Sequence, residues 1–504
     1  MAEHAASGEV ISGVVVQAIG LATAAGRGWA ALRGALEAGR PLPSPALSAE
    51  ALLLEALDDA ALAPLPEDAG LVFATASGGL GDDWAPWHTA ALAGDPSPPP
   101  PRPRQAPGDA LAARLGVLGP RANVSLACAS GTAALGMALD WLQAGRARVV
   151  VVAAVDGVCP FVSAGFEALK LVDPQGCRPL TPGSRGFHLG AAAAILVLAV
   201  GEGGVQLTGA ASSQDAWHPL TPHPEGRGLI AAARLALARG GGQPAQLISI
   251  HGTGTPANDR AEAAALLTLF GEERPPLQAL KPVVGHTMGA AGLVEAAALV
   301  LSLGDQQPVG WPERKPLDEA PLTGISWSMA FGGVNAAVVF SLEPVAGRPL
   351  APPVAVVTRR AIVSEVEASP SGEDPSHIAA RRALLALAPP PEAGLILSAP
   401  RGSILADLRH HARLVREGPA LVSPRTFAAT VPGAPLMGPG VTLGLRGPVM
   451  ALLDPPEVAL ALAEDWLRLG RCEAVVVVLL EVGGEDLLGE GAWARADARL
   501  LGLA

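Results

Sequence analysis

Part of this chain of 504 residues is written twice, and that repeat constrains its fold more than any other feature. Arg121-Ala-Asn-Val-Ser-Leu-Ala-Cys128, Ala138-Leu-Asp-Trp-Leu-Gln-Ala-Gly-Arg146 and residues 149–152 align without a gap on Arg446-Gly-Pro-Val-Met-Ala-Leu-Leu453, Ala463-Glu-Asp-Trp-Leu-Arg-Leu-Gly-Arg471 and residues 474–477. Upstream, Ala69-Gly-Leu-Val-Phe-Ala-Thr-Ala-Ser-Gly78 faces Ala393-Gly-Leu-Ile-Leu-Ser-Ala-Pro-Arg-Gly402 at nearly the same offset. Residues from about 354 onward thus copy roughly 14–155, and the copy has nothing corresponding to His251. Similar stretches of sequence fold into similar units. The chain is read as a full unit over 1–345 and a half-unit over 346–504, joined at the Pro-rich segment 344–353. In this alignment Leu453 stands where the first copy has Cys128, which excludes a thiol-based step in the tail.

Within the full unit, apolar runs of strand length alternate with Ala- and Leu-rich helical stretches. Arg148-Val-Val-Val-Val-Ala-Ala-Val155, Gly190-Ala-Ala-Ala-Ala-Ile-Leu-Val-Leu-Ala199 and Leu247-Ile-Ser-Ile250 read as buried strands, and 131–144, 259–269 and 290–303 as helices. This is an α/β pattern with both sheet faces covered. The stretch 95–107, with seven prolines, reads as a surface loop. Half of the residues are hydrophobic, yet no apolar run reaches the roughly 18 residues of a membrane span. The N-terminus lacks the basic and apolar regions of a secretory signal, so a soluble, cytoplasmic protein is expected. A net charge of -12 with 35 Lys and Arg and no basic block speaks against nucleic-acid and anionic-membrane partners. Four scattered cysteines make neither a disulfide framework nor a Cys-x-x-Cys metal pair, and reduced thiols are expected.

Cys128 follows the strand-like Val124-Ser-Leu-Ala and precedes Ala-Ser-Gly-Thr, which places it in a tight strand-to-helix turn. There the helix dipole and free backbone N–H groups favour thiolate, lowering the pKa by about a unit or more. His251 emerges from a strand end into Gly-Thr-Gly-Thr, where ligands bind in α/β sheets, and His286 stands in Gly285-His-Thr-Met-Gly-Ala-Ala-Gly ahead of another helix. Singly, each of these residues is most often structural; together they are a thiol and two imidazoles, each beside residues without bulk. Lys281 is the accompanying cation, and Glu262, on the helix after Asn258-Asp259, is its expected partner if it is buried. The Gly-rich turn Ser328-Met-Ala-Phe331-Gly-Gly-Val-Asn335 can set a backbone N–H opposite Cys128 as an oxyanion donor. Neither a Walker sequence nor a Gly-x-Gly-x-x-Gly in the first βα turn is present, which makes nucleotide binding a poor alternative.

Jointly these segments, over about residues 10–343, resemble the β-ketoacyl-[acyl carrier protein] synthase family of the elongating type. The His-Gly-Thr-Gly-Thr and Lys-x4-His-Thr-x-Gly-Ala-Ala-Gly sequences carry the resemblance. It implies a thiolase-like layered αβαβα fold with an extra half thiolase-like unit at the C-terminus. It implies decarboxylative Claisen condensation of an acyl thioester with malonyl-acyl carrier protein, in fatty acid, polyketide or polyene elongation, with no metal or diffusible cofactor. Cys128 would carry the acyl chain, and His251 and His286 would bind the malonyl thioester carbonyl. Lys281 and Glu262 would form a supporting ion pair, with Asp259 and Asn335 also supporting. Phe331 would be the gate, its amide and that of Cys128 forming the oxyanion hole. Acyl- and malonyl-loaded carrier protein would be the partners, in a homodimer or a pseudo-dimer formed within the chain. Leu126, Thr181, Ala191 and Ala330 depart from the family's usual threonine, aspartate, Gly-Glu-Gly-Ala and glycine. The tail resembles the first part of a chain-length-factor-type partner, which lacks the active cysteine; the alternatives are a malonyl decarboxylase or acyltransferase that no longer elongates, and a noncatalytic partner subunit.

Overall fold

The β-branched and aliphatic runs become strands in the computed structural model, which describes residues 13–45, 47–78, 80, 90, 93, 103–306, 321–345, 355–367, 373–483 and 492–503. The strands form three blocks of one design. The first comprises β1 (Val14–Thr23), with the short β2 (Gly26–Arg27) at its end, β3 (Gly70–Ala74), β4 (Arg121–Val124), β5 (Val149–Asp156) and β6 (Ala192–Val200), in the order β4-β3-β5-β6-β1. The second comprises β7 (Gln206–Gln214), β8 (Leu247–Ser249), β9 (Leu277–Gln278), β10 (Thr323–Ala330) and β11 (Val334–Ser341), in the order β9-β8-β10-β11-β7. The third comprises β12 (Ala355–Glu367), β13 (Gly394–Ser398), β14 (Val449–Leu452), β15 (Ala474–Gly483) and β16 (Trp493–Leu503), in the order β14-β13-β15-β16-β12. In each block the first three strands of the order are parallel and the last two pairings antiparallel.

This plan extends the repeat seen in the sequence. β16 occupies the place of β6, so the copy runs past residue 155 to the equivalent of Val200. Periodicity concealed this because the first block inserts 157–191 between its last two strands, whereas the third spends only 484–492 there. The gapless alignment also slips. Leu71 N bonds Pro120 O at 2.9 Å and Leu395 N bonds Pro448 O at 2.8 Å, which makes Pro120 and Pro448 equivalent and matches Val124 with Leu452. Leu453 therefore corresponds to Ser125, and the tail lacks the Cys128 turn altogether: its chain passes from β14 through Asp454-Pro455 directly into the helix Pro456–Arg468.

β4 and β14 join the first and third blocks. Val124 faces Leu452 in antiparallel register, Ser125 N bonds Ala451 O at 2.9 Å, and Leu453 N bonds Asn123 O at 2.8 Å. Under the equivalence these two bonds are one bond seen from either side, the signature of an isologous contact.

The first and second blocks stack with helices on both sides of each sheet. Helices Ser130–Gln143 and Ala291–Gly304 lie between the blocks, touching β5 and β7, and β6 and β10, respectively. Ala49–Ala60 covers the outside of the first sheet and Arg227–Arg239 the outside of the second, which completes the expected αβαβα layering. The two central helices are buried nearly all round, so they are apolar nearly all round. They cross where small residues allow it: a Cβ on Gly131 would meet Leu293 N at 2.5 Å, and one on Gly292 would meet Thr132 Oγ1 at 2.2 Å.

The face of β6 that meets these helices carries Ala192, Ala194 and Leu196. Strand pairing sets Arg495, Asp497 and Arg499 at the same places on β16, where Arg360 pairs with Asp497 at 2.7 Å and Arg495 with Glu481 at 2.6 Å.

Residues 95–102 and 346–353 lie outside the described residues. The expected loop ends earlier than 107, because Ala106 and Pro107 open the helix Ala106–Leu115; a proline in the first turn sacrifices no helical hydrogen bond. No helix among the described residues is long and apolar enough to cross a membrane, and the four cysteines are unpaired.

Candidate active site

Three separated loops bring the thiol and both imidazoles together. Cys128 sits in the single 3-10 turn Ala127–Ala129 between β4 and Ser130–Gln143. Ala127 adopts φ 49°, a left-handed conformation that costs a non-glycine residue about 1 kcal/mol and turns the next side chain into the site. Met288, with φ 50°, makes the matching turn before Ala291–Gly304. Asp156, at the end of β5 and fully buried, clamps this region. It accepts from Thr75 Oγ1 (2.9 Å), Ala76 N (2.9 Å), Ser77 N (2.8 Å), Ser77 Oγ (2.5 Å) and Gly289 N (2.7 Å).

His286 Nε2 lies 3.1 Å from Cys128 Sγ, and the His251 ring is centred 5.6 Å from that of His286. Bonding on the far side of each ring fixes its tautomer. Met288 N donates to His286 Nδ1 at 3.2 Å, and Lys281 Nζ stands 3.3 Å from His251 Nδ1; an ammonium and an amide N–H can only donate. Each neutral imidazole then carries its proton on Nε2. Neutrality is enforced: burial, with the positive charge of Lys281, holds both pKa values well below 6.5, and the His286 ring lowers that of His251 further.

The expected pairing of Lys281 with Glu262 is corrected. Lys281 Nζ donates to Glu295 Oε1 at 2.5 Å, as well as to His251 O. Glu262 is saturated elsewhere, accepting from His251 N (2.7 Å), Gly252 N (2.8 Å), Asn258 Nδ2 (2.7 Å) and Trp327 Nε1 (2.8 Å). It fixes the backbone under His251. The expected depression of the Cys128 pKa is corrected as well: burial pushes the thiol up to about 12, with the Lys281 charge pulling the other way. Desolvation of this buried thiol outweighs the turn's dipoles.

Asp259 and Asn335 stay outside the cluster. Asp259 Oδ2 accepts from Leu180 N at 2.9 Å, and Asn335 Nδ2 donates to Gly333 O and Asp215 Oδ1, both at 3.0 Å, bracing the turn after Phe331. Phe331, Phe166 and Cys128 border two cavities. One, of about 300 Å³, is also lined by His251, His286, Thr253 and Thr255; the other, of about 50 Å³, reaches Arg104, Phe161, Phe427 and Thr430. Phe331 therefore lines both cavities. Sequence reasoning missed Asp156 and Glu295. Glu295 is the lone acid of the apolar helix Ala291–Gly304, a visible anomaly; Asp156 is the lone acid ending a buried strand.

The family model for the beta-ketoacyl synthase N-terminal domain matches residues 47–202, and that for the beta-ketoacyl synthase C-terminal domain matches 205–309, together just over half of the chain. The chain is 31% identical over 258 residues to 3-oxoacyl-[acyl-carrier-protein] synthase 2 of Staphylococcus aureus, a match covering 45% of this chain and 64% of that protein. Nodulation protein E of Rhizobium sp. (strain N33) is 32% identical over 253 residues, covering 45% and 62%. The chain thus spans less than two thirds of the length of these relatives. Among solved structures, the PfaC keto synthase–chain length factor covers 98% of this chain and 78% of its own, with TM-score 0.78 and 14% identity, a likeness of fold. The ketosynthase ApeO in complex with its chain length factor ApeC, from Xenorhabdus doucetiae, has TM-score 0.58 and 25% identity, covering 66% of this chain and 98% of its own. With both halves of the domain matched in order and the cysteine and two histidines in one chamber, the chain belongs to the beta-ketoacyl synthase family.

Proposed function

We propose that the chain condenses an acyl thioester with malonyl-acyl carrier protein, releasing carbon dioxide and a 3-oxoacyl thioester. The observation that carries this reading is the 3.1 Å approach of His286 Nε2 to Cys128 Sγ, with the His251 ring 5.6 Å from that of His286. The Nε2–H of His286 stabilises the Cys128 thiolate, which attacks the acyl thioester carbonyl and expels the carrier thiolate; the proton given up by the Cys128 thiol goes to that departing sulfur. The amides of Cys128 and Phe331 receive the oxyanion. The carrier thiol leaves, and the malonyl thioester enters the larger cavity with its carbonyl oxygen between the two Nε2–H groups. Loss of carbon dioxide leaves the electron pair on the enolate, whose oxygen both imidazoles stabilise, and its carbon attacks the acyl-Cys128 carbonyl. Sulfur then departs as thiolate. Positioning supplies most of the rate, since nucleophile and acceptor are held side by side. No group in this scheme is a metal or a diffusible cofactor.

A partner bearing a flexible thioester arm, the acyl carrier protein, and a cytoplasmic setting belong to this proposal. So does the tail as a half-unit over 346–504, packed where a second subunit would sit; the reciprocal β4–β14 bonds support it. A second reading, a malonyl decarboxylase that does not elongate, is favoured by the thiol pushed up to about 12 beside two neutral imidazoles. Incubation with acyl- and malonyl-carrier protein separates these readings. Intact mass showing acyl-Cys128 together with a 3-oxo product supports condensation. Carbon dioxide without product supports the decarboxylase, and neither signal would leave a noncatalytic partner.

A further inference from the structure

Arg104 is an arginine with 8% exposure, positioned between the first block and the tail. Its Nε and Nη2 meet the Asp407 carboxylate, on helix Ile404–Glu417, at 3.3 and 2.7 Å; Nη2 also donates to Thr430 O at 2.9 Å, and Nη1 donates to Ala76 O. These contacts reach both walls of the 50 Å³ pocket beside Cys128. On one side, Ala76 N is held by Asp156, the clamp of the cysteine turn. On the other, Thr430 Oγ1 donates to Phe427 O at 2.7 Å, and Phe427, Thr430 and Val431 are the tail's contribution to the pocket. Phe427 packs edge-on against Phe166, with ring centres 5.1 Å apart, and closes the far end.

Burying an ion pair is expensive, and apolar residues of similar volume often stabilise a core as well or better. A planar guanidinium offers what they do not, several directed donors in one rigid fork. Building on the condensing reading above, we propose that Arg104 is a positioning residue that sets which acyl groups Cys128 carries, by pinning 427–431 as the far wall of the acyl pocket. With the wall pinned, the pocket takes short acyl chains. The malonyl chamber, on the other side of Phe331, has neither Arg104 nor 427–431 in its lining.

The test uses the full chain and the variants Arg104→Lys and Asp407→Asn, with folding checked by thermal melting. Acylation of Cys128 by acetyl and octanoyl N-acetylcysteamine thioesters is followed by intact mass, and decarboxylation of malonyl-carrier protein by carbon dioxide release. The native chain is expected to favour acetyl by about tenfold or more, the discrimination available to a closed apolar pocket. Arg104→Lys keeps the charge but loses the fork, and its preference should fall to within about threefold with decarboxylation unchanged within about twofold. A folded Arg104→Lys protein with native preference overturns the proposal, as does a parallel loss of decarboxylation, which would mark general damage. A native chain that is acylated by neither thioester overturns the condensing reading and this inference together.

Discussion

Arg471 donates through Nε to Asp140 at 2.8 Å, and Arg146 returns the same contact to Asp465. Asp140 and Asp465, like Arg146 and Arg471, are equivalent places in the repeat, so the contact is made twice with its partners exchanged. Trp466 Nε1 adds a bond to the second oxygen of Asp140 at 3.1 Å. With the symmetric bonds of β4 and β14, the chain meets itself as two copies of a subunit meet.

Arg471→Met leaves Asp140 buried without its cation and is expected to lower stability by about 3–5 kcal/mol. The double variant with Asp140→Leu should recover most of the loss. Urea unfolding of the three proteins measures it.

Cys128→Ala removes the acyl acceptor and leaves both imidazoles in place. The acyl mass increment should disappear, and condensation should fall by about a thousandfold or more, while carbon dioxide release from malonyl-carrier protein continues. Equal loss of both activities would contradict the division of labour proposed here.

The decarboxylation should show no imidazole titration from pH 6 to 8, because both imidazoles are held well below 6.5 and are already neutral. Activity should fall through their protonation only at lower pH. There protonation of Nδ1 would remove the acceptor that Met288 N and Lys281 Nζ require.

Glu295, pushed up to about 7 by burial and drawn down by Lys281, stays protonated in the folded chain at pH values where the unfolded chain has ionised. Its contribution to stability is therefore complete below the unfolded value near 4.5 and is lost as pH rises through about 7. Glu295 thus contributes less stability at pH 8 than at pH 5, and Glu295→Gln should remove that contribution from the measured difference. Urea midpoints at the two pH values test this.

The chemistry-bearing residues were legible because small residues announce them. Cys128, His251 and His286 each sit beside glycine or alanine, and those neighbours are what allow the strained turns at Ala127 and Met288. The layered fold was legible because a run such as 149–156 is long enough only for a buried strand. What escaped was three-dimensional choice. Lysine can pair with any acid in reach, and whether Glu262 or Glu295 is free is decided by Asn258, one helical turn away, and by Trp327 from a distant strand, which together occupy the former. The thiol's high pKa escaped because burial is a property of the packed chain, while the dipole that opposes it is local. The three-residue slip in the repeat escaped because Trp141 and Trp466, with their flanking residues, match so well that the eye carries their offset back across the missing turn.

One wall of the third block is written in a different chemical alphabet from its counterpart. Where Ala192, Ala194 and Leu196 lean on helices, Arg495, Asp497 and Arg499 lie in a ladder with Arg360 and Glu481. Those charges pair with one another on a partly exposed face, so they need no apolar cover, and grafting a helical layer onto them would strand charges in oil. Two faces of one design thus end differently, one written for apolar packing and the other for charge.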